Sequence, residues 1–474
     1  MPQTASSIIE KSQIAFGTSG ARGLVEHFSD EVCAAFAVAF LAEMRRTFEF
    51  DKVAIAIDRR PSSPGMAAAI AGACKSLNLE VDYYGVIPTP ALALQAMADH
   101  VPAIMVSGSH IPFDRNGIKF YRPDGEISKA DEQAIINSSA TVPVFFSDLP
   151  LVSARAAENY TSRYTKLYPA DALAGLRIGL YEHSAAGRDI NRAVFEQLGA
   201  TVVSLDRTDT FVPIDTEAVS DEDQRRGHEW AKEHQLDALF STDGDGDRPL
   251  LADEKGNWLR GDILGLLCAR ELGIEALAVP VSCNTAIELC GAFKKVHRTK
   301  IGSPYVIEAM ETLRGTYGSV AGFEANGGFL TGSDIKPGKA NLKALPTRDA
   351  VLPALVALTA ANRSKQPISH LLAELPERYT ASDRIKDFPT ERSSQLLADW
   401  KANPDSLKAD LALPNDIRTI DFTDGLRATL DNGQIVHIRP SGNAPELRCY
   451  CEATSIDFVQ QLLQDCLSSL LRTR

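Results

Sequence analysis

The 474-residue sequence predicts an α/β protein built as three similar mixed α/β domains followed by a C-terminal α+β domain. Three observations carry this. A strand, turn and helix pattern recurs three times at domain-sized intervals. The C-terminal stretch changes to short alternating strands before a final helix. The chain is also too long for one hydrophobic core, since single cores stop growing near about 250–300 residues.

Val53-Ala-Ile-Ala-Ile57 leads through Asp58-Arg-Arg-Pro-Ser-Ser63 into an alanine-rich helical run. Leu176-Arg-Ile-Gly-Leu-Tyr181 leads into Ile190-Asn-Arg-Ala-Val-Phe-Glu-Gln-Leu198, and Leu277-Ala-Val-Pro-Val281 into Thr285-Ala-Ile-Glu-Leu289. An apolar strand followed by an amphipathic helix is a βα unit of a mostly parallel sheet. The last stretch predicts strands at Asp416–Asp421, Leu426–Leu430, Gln434–Ile438 and Arg448–Ala453. Turns at Thr423-Asp-Gly425 and Asp431-Asn-Gly433 make the sheet antiparallel, and Ser455 is placed to cap a helix from Asp457 to Leu471. Joints fall at Ser139–Arg155, near Lys255-Gly-Asn257 and at Ala361–Leu375, giving domains 1–150, 151–257, 258–372 and 373–474.

Composition narrows the function classes. Hydrophobic residues make up 44% and charged residues 23%, an ordinary globular balance that leaves no room for long disordered tracts. No window approaches the roughly 20 apolar residues of a membrane span, and Met1 to Gln13 lacks a basic start followed by an apolar stretch. A cytoplasmic protein without membrane partners is expected. The net charge of −13 and the lack of a Lys/Arg run argue against nucleic acid. The same charge repels any anionic substrate, so local arginines, lysines, backbone N–H groups or a metal must overcome it. The eight cysteines contain no C-x-x-C pair and lie in apolar segments, as buried reduced thiols do.

Five polar signatures follow one another: Phe16-Gly-Thr-Ser-Gly-Ala-Arg22-Gly23, Ser107-Gly-Ser109-His-Ile-Pro, Asp243-Gly-Asp245-Gly-Asp247-Arg248, Glu324-Ala-Asn326-Gly-Gly328 and Arg439-Pro-Ser441-Gly442-Asn443. Ser109 follows Ala103-Ile-Met-Val106, at the end of a buried strand where α/β proteins present ligand groups. A hydrolase elbow is excluded because the glycine positions of G-x-S-x-G hold Ser107 and Ile111. Asp243, Asp245 and Asp247 alternate with glycines on a tight loop able to converge on a hard divalent cation. An EF-hand loop fails, since Arg248 stands where its glycine is needed.

Arg248 can grip phosphate oxygens through its planar fork or neutralise the aspartates beside it. Arg439, Ser441, Gly442 and Asn443 can form an anion nest between two strands, with Arg448 close behind. Glu324 and Asn326 can hydrogen-bond paired hydroxyls. Lys119 can transfer a proton if Arg22 or Arg248 lowers its pKa. Each signature alone has a plainer reading as an ordinary turn or surface group; their combination supplies what phosphoryl transfer needs.

In order and content, the five signatures resemble the α-D-phosphohexomutase family of phosphomannomutases, phosphoglucomutases and phosphoglucosamine mutases, from about Phe16 to Glu452. The resemblance implies four domains around a central cleft and places the phosphoserine at Ser109. It implies Mg²⁺ held by Ser109, Asp243, Asp245 and Asp247. Arg439, Ser441 and Asn443 would grip the substrate phosphate, with Glu324 and Asn326 facing sugar hydroxyls and Arg22, Lys119 and Arg248 near the reaction centre. The sequence departs from the family pattern at Asn326, Gly328 and Asn443-Ala444.

The activity implied is an isomerase that interconverts hexose 6-phosphate and hexose 1-phosphate, mannose phosphates foremost, through a bound hexose 1,6-bisphosphate. Phosphoglucomutase and phosphoglucosamine mutase are the alternatives within the family. A metal-dependent sugar phosphatase and a non-catalytic sugar-phosphate binder are the rivals outside it. Small-molecule hexose phosphates are the partners, to a monomer or homodimer whose cleft closes on substrate.

Overall fold

The computed structural model describes residues 3–17, 20–336, 340–441 and 445–472. Four sheets follow one another along the chain. The first has seven strands: Ala15–Phe16, Ala21–Leu24, Arg115–Arg122, Ala103–Val106, Lys52–Ile57 and Glu80–Val86 in spatial order, with Gly125–Glu126 paired to Arg115–Arg122. The second runs Pro249–Ala252, Ala238–Thr242, Arg177–Tyr181, Thr201–Leu205, and the third Lys295–Thr299, Ala276–Pro280, Val320–Phe323, Phe329–Thr331, Leu345–Asp349. The fourth is antiparallel throughout: Tyr379–Ile385, Leu447–Ala453, Ile435–Pro440, Leu426–Leu430, Ile417–Asp421.

In each of the first three sheets, parallel strands give way at one point to an antiparallel one. Ala103–Val106 is parallel to Lys52–Ile57 but antiparallel to Arg115–Arg122. Ala238–Thr242 is parallel to Arg177–Tyr181 but antiparallel to Pro249–Ala252. Val320–Phe323 is parallel to Ala276–Pro280 but antiparallel to Phe329–Thr331. The serine, aspartate and Glu324-Ala-Asn326 signatures occupy the three loops at this reversal. Repetition of one fold therefore puts three chemically different loops at one topological position.

The helices form where apolar spacing and caps allow. Asp30–Met44 starts on Ser29, whose hydroxyl accepts from Val32 N; it packs Phe36 and Phe40 in the core of the first sheet and Ala34 and Val38 against Ala73 on its other side. The final helix, Ile456–Arg472, has Ser455 Oγ accepting from Phe458 N and lays Val459, Leu462, Cys466 and Leu470 on the fourth sheet. Cys449, Cys451 and Cys466 meet there, with sulfurs within 4.8 Å of one another inside the apolar core. That convergence was invisible in their sequence spacing.

One continuous apolar cluster, including Met105, Phe240, Leu277 and Leu355, runs through the first three units. The fourth keeps a core of its own around Trp400, Leu447 and Leu462. Polar contacts link it to the third: Asn284 Nδ2 donates to Arg378 O at 2.9 Å, Ile301 N to Asp424 Oδ2 at 2.9 Å, and Thr285 N to Glu452 Oε2 at 3.1 Å. Such an interface resists rotation less than a shared apolar core does. Among the described residues no helix is long and apolar enough to cross a membrane.

Candidate active site

The serine loop is built by two buried side chains from the turn after Lys52–Ile57. Asp58 Oδ2 accepts from Ser107 Oγ at 2.9 Å and from Gly108 N at 3.2 Å. The Arg60 guanidinium donates to the carbonyls of Ser109 (3.1 Å), Ile111 (2.5 Å), Pro112 (2.7 Å) and Arg115 (2.8 Å) and stacks 3.8 Å from the Phe211 ring centroid. These contacts hold Ser109 in the left-handed region at φ 53°, a conformation that costs a non-glycine residue free energy and persists only when its surroundings over-determine it.

The Ser109 hydroxyl reaches across to the second unit and donates to Asp243 Oδ2 at 2.6 Å. Gly244 makes the approach possible, because a Cβ there would lie 2.8 Å from Ser109 O. Asp243 Oδ1 accepts from the N–H groups of Asp247 and Arg248, each at 3.2 Å, which closes the loop.

The three aspartates are buried and bring one carboxylate oxygen each within 4.8 Å of the others. Lys119 Nζ donates to Asp245 Oδ2 at 2.5 Å and Asp247 Oδ2 at 2.9 Å, and Thr89 Oγ1 to Asp245 Oδ2 at 2.6 Å. Arg348 donates to Asp247 Oδ2 through Nε at 3.0 Å and Nη2 at 2.8 Å. All these donors fall on Oδ2. Among the described residues, Asp245 Oδ1 and Asp247 Oδ1 are buried with no hydrogen-bond partner. Orphaned carboxylate oxygens beside a serine hydroxyl fit a hard divalent cation, which takes oxygen ligands.

Electrostatics within the cluster are uneven. Burial, with Asp245 and Asp247 alongside, pushes the Asp243 carboxyl well above its ordinary value. Burial would raise Asp247 too, but Arg348, Lys119 and Arg248 hold it far below. The condition set for Lys119 as a proton carrier is not met. Burial lowers its pKa, yet Asp245 and Asp247 outweigh burial and Arg348, so the net shift is upward. A lysine held between two carboxylates stays charged. His110 goes the other way: burial, then Arg248 and Arg22, lower it to about 2, leaving a neutral ring whose Nδ1 lies 3.0 Å from Arg248 Nη1 and 3.3 Å from Ser109 Oγ.

Arg248 Nε stands 3.7 Å from Asp247 Oδ1 and 3.9 Å from Asp243 Oδ2, and finds no hydrogen-bond acceptor among the described residues. Arg22, on the strand Ala21–Leu24, is lowered to about 10 by burial and by Arg248, with Asp245, Arg348 and Asp247 also in range. Glu324 and Asn326 are both buried; Glu324 Oε2 accepts from Arg348 Nη1 at 3.2 Å, and Asn326 Oδ1 from Gly328 N at 3.0 Å. The structure thus gathers Ser109, the aspartates, Lys119, Arg22, Arg248 and Glu324 into one cluster.

Arg439 and Arg448 pair with carboxylates of their own unit. Arg439 Nε donates to Asp424 Oδ2 at 3.0 Å, and Arg448 is 3.8 Å from Glu446 with its Nε unpartnered. Ser441 ends the strand side of the loop, and Gly442 and Asn443 lie outside the described residues. Four participants escaped sequence reasoning: Asp58 and Arg60, quoted only as a turn, Thr89, and Arg348, whose Pro346-Thr-Arg-Asp349 context carries no signal.

Comparison with known proteins shows which family the chain belongs to. Residues 13–143, 158–256 and 260–379 match the phosphoglucomutase/phosphomannomutase alpha/beta/alpha domains I, II and III, and residues 383–468 match the C-terminal domain of the same family. The chain is 55% identical over 464 residues to a phosphomannomutase of Salmonella muenchen, covering 98% of this chain and 97% of that protein. It is 43% identical to a phosphomannomutase of Sinorhizobium fredii, covering 96% and 98%. A crystal structure of a phosphoglucomutase/phosphomannomutase family protein from Burkholderia thailandensis shares the fold, with a TM-score of 0.74 at 20% identity over 99% of this chain and 98% of that one.

Proposed function

Because this chain belongs to the phosphoglucomutase/phosphomannomutase family, we propose that it interconverts mannose 6-phosphate and mannose 1-phosphate through a phosphoserine at Ser109. The observation that carries this reading is the Ser109 Oγ contact with Asp243 beside the two orphaned aspartate oxygens. In the working cycle, phosphorylated Ser109 transfers its phosphoryl group to the free hydroxyl of a hexose monophosphate. The P–O bond to serine breaks, a P–O bond to the sugar forms, the proton of the sugar hydroxyl ends on the released serine oxygen, and the product is a bound hexose 1,6-bisphosphate. The sugar reverses and returns its other phosphoryl group to Ser109.

Asp243, Asp245 and Asp247, with an oxygen of Ser109, would hold Mg²⁺. When bound, that ion supplies positive charge to the transferring phosphoryl oxygens. Arg248, with its unpartnered Nε, and Arg22 would hold the equatorial oxygens. Lys119, kept charged by Asp245 and Asp247, serves the same neutralisation. Arg439, Ser441, Gly442, Asn443 and Arg448 would grip the phosphate that is not reacting, Arg439 first leaving Asp424. Glu324 and Asn326 would hold sugar hydroxyls. The separate core and polar joint of the fourth unit suit a domain that closes over the bisphosphate.

Turnover measured side by side on mannose 1-phosphate, glucose 1-phosphate and glucosamine 1-phosphate tests the substrate. Mannose 1-phosphate should give the highest kcat/KM, and a higher value for either other sugar would overturn the preference. Release of inorganic phosphate without the isomeric sugar phosphate would replace the mutase by a phosphatase.

A further inference from the structure

We propose that Arg348 is a positioning residue that holds the sugar-loop carboxylate of Glu324 in register with the metal loop, and that Gly328 is small in order to admit it. The guanidinium is almost wholly buried, at 1% exposure, and spans two units. Its Nε and Nη2 take Asp247 Oδ2 at 3.0 and 2.8 Å, while Nη1 takes Glu324 Oε2 at 3.2 Å and Ser303 Oγ at 3.3 Å. One rigid fork thus sets the spacing between a carboxylate of the aspartate loop and a carboxylate of the adjacent loop. A lysine presents a single point charge and cannot do this in the same geometry.

The glycine supports the same reading independently. A Cβ at residue 328 would lie 2.6 Å from both Cδ and Cγ of Arg348 and 2.9 Å from its Cβ. Real Cβ atoms do not approach that closely, and φ at Gly328 is not in the left-handed region, so backbone conformation does not explain the glycine. Space for the arginine stem does. The strands Phe329–Thr331 and Leu345–Asp349 are antiparallel with Phe329 opposite Asp349, so residues 328 and 348 flank that pair on the other face of the sheet and meet diagonally across it.

Arg348 also fixes which oxygen of Asp247 is free. With Lys119 it occupies Oδ2, leaving Oδ1 without a hydrogen-bond partner among the described residues. Lys119 keeps Oδ2 occupied if Arg348 is removed, so the loss should fall mainly on Glu324, and therefore on the sugar rather than on the metal.

The inference rests on the proposed role of Glu324 toward sugar hydroxyls, and its test separates the two. Calorimetric affinities for mannose 6-phosphate at saturating Mg²⁺, and for Mg²⁺ alone, are compared for the wild type, Arg348→Lys, Gly328→Ala, Arg348→Ala and the Gly328→Ala/Arg348→Ala double variant. Arg348→Lys and Gly328→Ala should each weaken mannose 6-phosphate binding about tenfold while Mg²⁺ affinity stays within about twofold. In the Arg348→Ala background, Gly328→Ala should cost nothing further, since the stem it would strike is gone. Arg348→Ala strands the buried carboxylate of Glu324 and takes one of two cationic partners from Asp247 Oδ2, so if it fails to fold the two other single variants decide the matter.

Wild-type sugar affinity in both Arg348→Lys and Gly328→Ala would overturn the inference. So would additive losses in the double variant, or an equal loss of Mg²⁺ affinity. A wild-type protein that binds none of the hexose phosphates would overturn the proposed function instead.

Discussion

Ser109 Oγ and Asp243 Oδ2 lie 2.6 Å apart although their loops leave different sheets. The contact joins the candidate nucleophile to the candidate metal loop, and it depends on the backbone of Gly244 passing under Ser109 O. Gly244→Ala places a methyl group 2.8 Å from that oxygen, so one loop must retreat. A misplacement of this kind costs about a hundredfold in rate. Gly244→Ala should therefore lose mutase kcat by about that factor, with an unchanged circular dichroism spectrum. Activity within twofold of wild type would show that the two loops need not touch.

Arg60 should matter to both stability and catalysis. Its Nε is 3.3 Å from Asp58 Oδ2, with both side chains fully buried, and its other nitrogens saturate the serine-loop carbonyls. Arg60→Leu removes one member of a buried pair, which costs about 3–5 kcal/mol. Urea denaturation should show that loss. Residual activity, measured well below the midpoint, should remain depressed because Ser109 is no longer held at φ 53°.

Acid sensitivity follows from two buried imidazoles. Burial lowers His183 and His437 from 6.5 to about 4, although each ring meets a carbonyl, of Thr242 at 2.9 Å and Asp424 at 2.6 Å. Both rings stay neutral in the fold and take a proton on unfolding between those pH values. The unfolded state then binds more protons, so stability falls as pH drops from about 6.5 to about 4, by about 3 kcal/mol per histidine. His437→Asn should remove its share of that slope. An unchanged profile of stability against pH would show that His437 is already protonated in the native protein.

How much of this was legible beforehand differs by residue. Ser109, the three aspartates and Glu324 announce themselves because loops that approach a ligand or each other need glycine, and glycine next to polar side chains is visible in one dimension. The three βα repeats were legible for the same kind of reason, since buried parallel strands are continuous apolar runs. Arg348, Thr89 and Asp58–Arg60 act through pairings that exist only once the chain is folded, and their local sequence is that of any strand end, helix start or turn. Lys119 shows the limit most sharply: its effect on charge depends on whether Arg248 or Asp245 lies nearer, and that distance is not written in the sequence.

Metal binding should be measurable without turnover. Asp245 Oδ1 and Asp247 Oδ1 lack partners in the buried cluster, so Mg²⁺ should stabilise the folded chain, by about 2.7 kcal/mol at a hundredfold excess over its dissociation constant. Thermal melts with and without Mg²⁺ should separate for the wild type and coincide for Asp245→Asn/Asp247→Asn. Equal shifts in both proteins would move the cation elsewhere.

The most direct measurement is to incubate the protein with radiolabelled mannose 1,6-bisphosphate, locate the label by peptide mapping, and then chase it with unlabelled mannose 6-phosphate. The account predicts label on Ser109 alone, discharged into the sugar pool by the chase, and neither label nor turnover in Ser109→Ala. Full mutase activity in Ser109→Ala, or label on another residue that discharges at the rate of turnover, would contradict it.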